Sequence, residues 1–119
     1  MFLELKHQQL DIYQFSKPFV LECCKLTKTF PSDEKFNLVS QIRRAALSVH
    51  LNFSEGASRK SPAERKRFYE IARGSIIEID AALDIADGLG YCNKEELKQL
   101  GFLLVKCFKI LSGLIGQKH

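Results

Sequence analysis

The sequence predicts an all-α fold, an antiparallel up-and-down four-helix bundle, on three observations. Strand signals are nearly absent: there is no period-two run and no Asn-Gly or Asp-Gly hairpin turn. Three breaks divide the chain: Phe30-Pro31-Ser32-Asp33, Gly56-Ala57-Ser58-Arg59-Lys60-Ser61-Pro62 and Gly88-Leu89-Gly90-Tyr91-Cys92-Asn93. Each joins turn formers to a helix start signal. Between the breaks, apolar residues recur at alternating steps of three and four, which places them on one face of a helix. Four such helices with short connections pack beside their sequence neighbours and alternate in direction.

Helix 1 is expected from Leu10 to Thr29. Pro18 falls inside it, where the missing amide proton and the bulk of the ring should kink or delay the helix. Cys23 and Cys24 read as core and flank residues there. Helix 2 is expected from Asp33 to Glu55, with Ser32 as its cap and Asp33 and Glu34 matched to the positive end of the helix dipole. Its core line is Val39, Ile42, Ala46, Val49 and Phe53. Gly56 opens the following loop, which Asn52 and Glu55 can tie down. Helix 3 is expected from Pro62 to Leu89 and carries the strongest start signal: Ser61 as cap, Pro62 in the first helical position, and Glu64 to close a capping box. Its core line is Phe68, Ala72, Ser75, Ile79, Ala82, Ala86 and Leu89. Helix 4, from Lys94 to Ile115, repeats the capping logic with Asn93 and Glu96. Its core line is Leu97, Leu100, Leu104, Phe108, Leu111 and Ile115. Ala45, Ser48 and Asn52 are small enough to admit a neighbouring helix, and Gly74-Ser75 does the same on helix 3. The mid-helix glycine costs about 1 kcal/mol.

The helices are apolar on more than one stripe. Leu47 and Leu51 lie beside the core line of helix 2, and Ile71, Ile76, Ile77, Leu83 and Ile85 widen that of helix 3. From Leu100 to Gly116, eleven of seventeen residues are apolar. Apolar surface beyond what a small bundle buries points to an interface, so a homo-oligomer is expected.

Length and composition bound the rest. With 119 residues the chain is expected to form one domain over residues 1–119, and its 45% hydrophobic content excludes a disordered chain. Four cysteines, Cys23, Cys24, Cys92 and Cys107, have no spacing that suits a disulfide framework or a zinc site, so free thiols in a reducing compartment are expected. The first residues lack the layout of a signal peptide, and no run of about 18 apolar residues exists; the expected location is cytoplasmic.

A net charge of +4 conceals a segregated pattern. All six arginines lie between residues 43 and 73, and residues 41–73 set eight basic residues against three glutamates, a net +5. Residues 74–96 set Lys94 against Glu78, Asp80, Asp84, Asp87, Glu95 and Glu96, a net −5. On helix 3 the sequence Lys66, Glu70, Arg73, Ile77, Asp80, Asp84, Asp87 traces one outward stripe, basic at its start and acidic at its end. The helix dipole prefers the reverse order. One reading is a solvated face with internal pairs such as Lys66–Glu70. The other is a phosphate-binding surface, since the planar arginine fork donates two parallel hydrogen bonds.

Signals for catalysis are missing. His7, His50 and His119 have no partners at ligand spacing, and His50 reads as a surface or interface residue. The segment Gly56–Ser61 lacks the phosphate-loop pattern. No His accompanies Glu78, Asp80, Asp84 and Asp87 in a metal-binding motif, so no metal or cofactor is expected.

One stretch carries a resemblance. Phe30-Pro31, Glu34, Gln41-Ile42-Arg43-Arg44-Ala45-Ala46, Ser48, Asn52, Glu55-Gly56, Arg59, Ser61, Phe68, Ile71-Ala72-Arg73-Gly74-Ser75 and Glu78 fall in order and spacing. The chain thereby resembles the 23S rRNA intervening-sequence protein family, also called four-helix bundle proteins. It is similar, too, to the accessory variability protein of diversity-generating retroelements. The resemblance implies a bacterial cytosolic four-helix bundle, often a pentameric ring, and among its partners nucleic acid and a reverse transcriptase. Pro18 and Cys24 depart from the family's helix former and tyrosine.

The expected function is therefore a non-enzymatic, oligomeric bundle that binds RNA or DNA phosphates through its helix 2–loop–helix 3 region. The candidate contacts are Arg43, Arg44, Arg59, Lys60, Arg65, Lys66, Arg67 and Arg73. No aromatic residues interleave with them, Phe68 being assigned to the core, so contact should be through phosphate with weak sequence preference. The rival is a structural or protein-interaction module whose arginines meet Asp80, Asp84 and Asp87 of a neighbouring subunit.

Overall fold

The structure, a computed structural model, describes residues 1–116, with the side chains of residues 7 and 9 outside that description. Four helices make the fold: α1 Asp11–Thr27, α2 Leu38–Ser58, α3 Pro62–Gly88 and α4 Lys94–Ile115. Short 3-10 turns at Lys6–Gln9 and Ser32–Glu34 precede α1 and α2, and no strand occurs among the described residues. Each helix packs on its sequence neighbour, α4 closes the ring on α1, and the diagonal pairs do not meet. Contacts between α2 and α3 run in opposite order along the two helices. Arg44 pairs with Glu78, Ser75 Oγ bonds to Ser48 Oγ at 3.0 Å, and the Phe53 and Tyr69 rings stack at 6.2 Å. The same reversal holds between α1 and α2, where Arg43 reaches Thr27 and His50 reaches Ser16.

The helix ends follow local chemistry. Ser61 Oγ accepts from the Glu64 amide at 3.3 Å, and Pro62 occupies the first turn, where its missing N–H costs nothing. The complete capping box is at Asn93 instead: its Oδ1 accepts from the Glu96 amide at 2.8 Å, and the Glu96 carboxylate accepts from the Asn93 amide. Ser32 does not cap α2. It begins a separate turn, and α2 starts five residues later than Asp33, at Leu38. The reason lies in Glu34, whose carboxylate is held by the Asn37 amide at 2.9 Å and the Tyr91 hydroxyl at 2.8 Å. Pro18 delays nothing; α1 runs through it with the hydrogen bond to the Gln14 carbonyl forgone.

All five expected core residues of α2 are buried, joined by Ala45. The core line of α3 is shifted: Tyr69, Ile76 and Leu83 are buried with Ala72, Ser75, Ile79 and Ala86, whereas Phe68 is half-buried and Leu89 is 55% exposed. On α4, Leu103 and Cys107 are buried and Phe108 lies 37% exposed, outside the core.

The α3 shift traces to Gly56. It does not open a loop; α2 continues to Ser58, and Gly56 is buried inside it. A Cβ there would lie 2.8 Å from Phe68 Cβ and 3.1 Å from the Tyr69 ring. The bare glycine lets the start of α3 press directly on α2, turning Tyr69 inward. Gly74 has no such role within the chain, since a Cβ there would meet nothing within 4 Å.

Candidate functional site

The eight candidate residues do not form one patch. Arg43 is half-buried and spans α2 and α1: its Nε donates to Thr27 Oγ1 at 2.8 Å and its Nη2 to the Cys24 carbonyl at 3.4 Å. That carbonyl belongs to the last turn of α1, where a cation is favoured by the dipole. Arg44 is exposed but pairs with Glu78 and donates to Gln41 Oε1 at 3.0 Å. Arg73 is half-buried and donates to Ser112 Oγ across the α3–α4 seam at 3.2 Å.

The remaining five gather where α2 meets α3. The connection is only residues 59–61, so the end of one helix and the start of the next share a small surface. Arg59 pairs with Glu55 and lies 5.1 Å from the centre of the Phe68 ring. Thus Glu55 does hold this turn, while Asn52 bonds back to Ser48. Arg65 turns inward over the connection: its Nη1 donates to the carbonyls of Arg59 at 3.0 Å and Lys60 at 2.7 Å. Lys60, Lys66 and Arg67 are exposed, and their side chains make no hydrogen bond or ion pair among the described residues. The expected Lys66–Glu70 pair is not formed. These three cations, with Arg59 beside them, are free to meet an anion.

Asp80, Asp84 and Asp87 are likewise exposed and line an open groove of about 360 Å³ between α3 and α4. Among the described residues, no cluster of His, Cys, Asp and Glu could hold a metal ion; His119 lies outside them. Burial pushes the Cys23 and Cys107 thiols up to about 12, so neither is a nucleophile near neutral pH.

Two contacts had no clear signal in the residue pattern. His50 is half-buried between α1 and α2: its Nδ1 lies 2.7 Å from Ser16 Oγ, with the Tyr13 ring 4.8 Å away. Ser16 is fully buried, and the pair joins α1 to α2. The Glu34–Tyr91 bond ties the α1–α2 connection to the α3–α4 connection. Its one sequence trace is the Phe30-Pro31…Glu34 spacing, and Phe30 also packs on the Tyr91 ring at 5.4 Å.

Among the described residues, no helix is long and apolar enough to cross a membrane. A model of the 23S rRNA-intervening sequence protein family matches residues 8–113. No curated protein matches the sequence. Among solved structures, a protein with unknown function from the S23 ribosomal protein family of Bacteroides thetaiotaomicron superposes with a TM-score of 0.81. It is 21% identical, and the likeness covers 89% of this chain and 99% of that one. At that identity the likeness concerns the fold.

Proposed function

The chain belongs to the 23S rRNA-intervening sequence protein family, and from that premise we propose a non-enzymatic, cytoplasmic, oligomeric bundle that binds RNA or DNA phosphates where α2 meets α3. The observation that carries the reading is the group Lys60, Lys66 and Arg67, exposed and unpaired around a three-residue connection. Arg59 adds a fourth cation with a partner it can exchange. Lysine and arginine displaying themselves without carboxylate partners suit a polyanion, and the one partly exposed ring among them, Phe68, is covered by Arg59, which favours backbone over base contact. The family resemblance extends the reading to a pentamer and, as a protein partner, to a reverse transcriptase.

The test is a titration of duplex and structured single-stranded RNA and DNA from low to moderate salt. Wild type should bind all of them with affinity falling steeply with salt. Lys60→Gln/Lys66→Gln/Arg67→Gln should bind more weakly, with a log–log slope shallower by about 0.9 for each phosphate no longer neutralised. Helicity should be unchanged, because exposed substitutions of this kind cost within about ±0.5 kcal/mol each.

A second reading has its own observation. Asp80, Asp84 and Asp87 are exposed and make no ion pair among the described residues, as a structural or protein-interaction module would need if basic side chains of a neighbouring subunit are to meet them. On that reading wild type binds no nucleic acid even at low salt, and the triple variant loosens the oligomer instead.

A further inference from the structure

The connection between α2 and α3 is tied down by a side chain. Its first and last residues are extended: Arg59 has φ −78° and ψ 145°, and Ser61 has φ −76° and ψ 128°. Among the described residues, the carbonyls of Arg59 and Lys60 accept no backbone hydrogen bond. One atom, Arg65 Nη1, donates to both, at 3.0 and 2.7 Å. These carbonyls belong to the two peptide planes that flank Lys60. A peptide unit is planar, so the backbone at Lys60 is set by the rotations of those two planes about its Cα. Holding both oxygens on one nitrogen fixes both rotations, and with them the direction in which the Lys60 side chain leaves the chain. The tether comes from the residue just before Lys66 and two before Arg67. It refers Lys60 to the same turn of α3 that carries the other two unpaired cations. Arg65 itself is half-buried, whereas Lys60, Lys66 and Arg67 are exposed.

We propose that Arg65 is the positioning residue of the phosphate site: it holds no phosphate itself and fixes Lys60 against Lys66 and Arg67. The proposal rests on the nucleic-acid reading above and assigns a role within that site. A tether of this kind orders Lys60 when the chain folds, so that binding does not bear the cost of ordering it. Freeing the backbone of one residue returns that cost to the binding step, a loss of about tenfold in affinity. The two roles an arginine can have here differ in their dependence on salt. A cation that touches phosphate adds to the counterions released on binding; a residue that places another cation does not.

The experiment is a double-substitution cycle on Lys60→Gln and Arg65→Gln, read as affinity for a short RNA duplex across a salt series. Limited trypsin digestion of the same proteins alone accompanies it. Arg65→Gln should bind about tenfold more weakly than wild type with an unchanged log–log salt slope. In the Lys60→Gln background the same substitution should cost less than about twofold, because the side chain it places is gone. Trypsin should cut after Arg59 and Lys60 faster in Arg65→Gln than in wild type. The bond after Lys98, inside α4, should stay protected in both. Costs that multiply, with a slope shallower by about 0.9, would make Arg65 a phosphate contact and overturn the positioning role. An Arg65→Gln that binds as tightly as wild type overturns it too. So does equal cutting at the connection, with no nucleic acid present. A wild type that binds no RNA even at low salt overturns the nucleic-acid reading, and this role with it, whatever the digestion shows.

Discussion

Gly56 sets how closely α2 and α3 approach. Its neighbours across the seam are a Cβ and an aromatic ring, neither of which is the flexible end of a side chain. An added methyl group must therefore move the helices apart or turn Tyr69 off its packing on Phe53. Overpacking of this kind costs about 1–3 kcal/mol, against about 1 kcal/mol gained from replacing a helical glycine by alanine. Gly56→Ala is expected to destabilise the fold by about 1 kcal/mol, read as a lower urea midpoint with unchanged slope. A gain in stability would show that the seam relaxes freely. Arg65 illustrates another side of the same end: a charged side chain at the surface whose donors serve two carbonyls of the connection and so set the position of Lys60.

At the scale of elements, the connections hold each other. Tyr91 hydroxyl and Asn37 amide both donate to Glu34, and these bonds lower the Glu34 pKa from its ordinary 4.5. The same bond raises the Tyr91 pKa from 10.0. For Glu34 the stabilisation is present in full above about pH 4.5 and is lost as pH falls through the lower folded value. For Tyr91 it is present below pH 10.0 and is lost as pH rises through the higher folded value. Glu34→Gln should therefore flatten both the acid and the alkaline limb of a stability–pH profile, and Tyr91→Phe should do the same. Limbs that superpose on wild type would remove this bond from the stability of the fold. The helices themselves were legible in the sequence, because 3-4 spacing and caps are local properties: α3 starts at Pro62 and α4 at Lys94, as the signals imply. The start of α2 was not, because it depends on Glu34 finding Tyr91, 57 residues away in sequence. Nor was the shifted core line of α3, because the close approach at Gly56 belongs to two helices at once.

Over the whole molecule, chain reversal disperses what the sequence gathers. Arg44 and Arg59 are separated by 15 residues of helix and its end, about 22 Å along the axis, and Arg73 faces α4 instead. A contiguous basic block in sequence thus becomes one cluster at the α2–α3 turn and three arginines spread over two other seams and the α2–α3 face. The cluster was legible from charge alone. Which arginines already had partners was not, since Thr27, Glu78 and Ser112 come from other helices. The excess apolar residues were legible as a surplus, and the structure leaves Leu51 54% and Ile77 56% exposed. If that surface is covered by other copies, association and folding are linked, and the free energy of unfolding depends on protein concentration. The urea midpoint of wild type is then expected to rise over a hundredfold increase in protein concentration. The midpoint of Leu51→Glu, whose added carboxylate opposes covering that exposed apolar surface, should rise less. A wild-type midpoint independent of concentration, with a single unfolding transition, would mean that the exposed leucines and isoleucines contribute nothing to stability beyond the single chain.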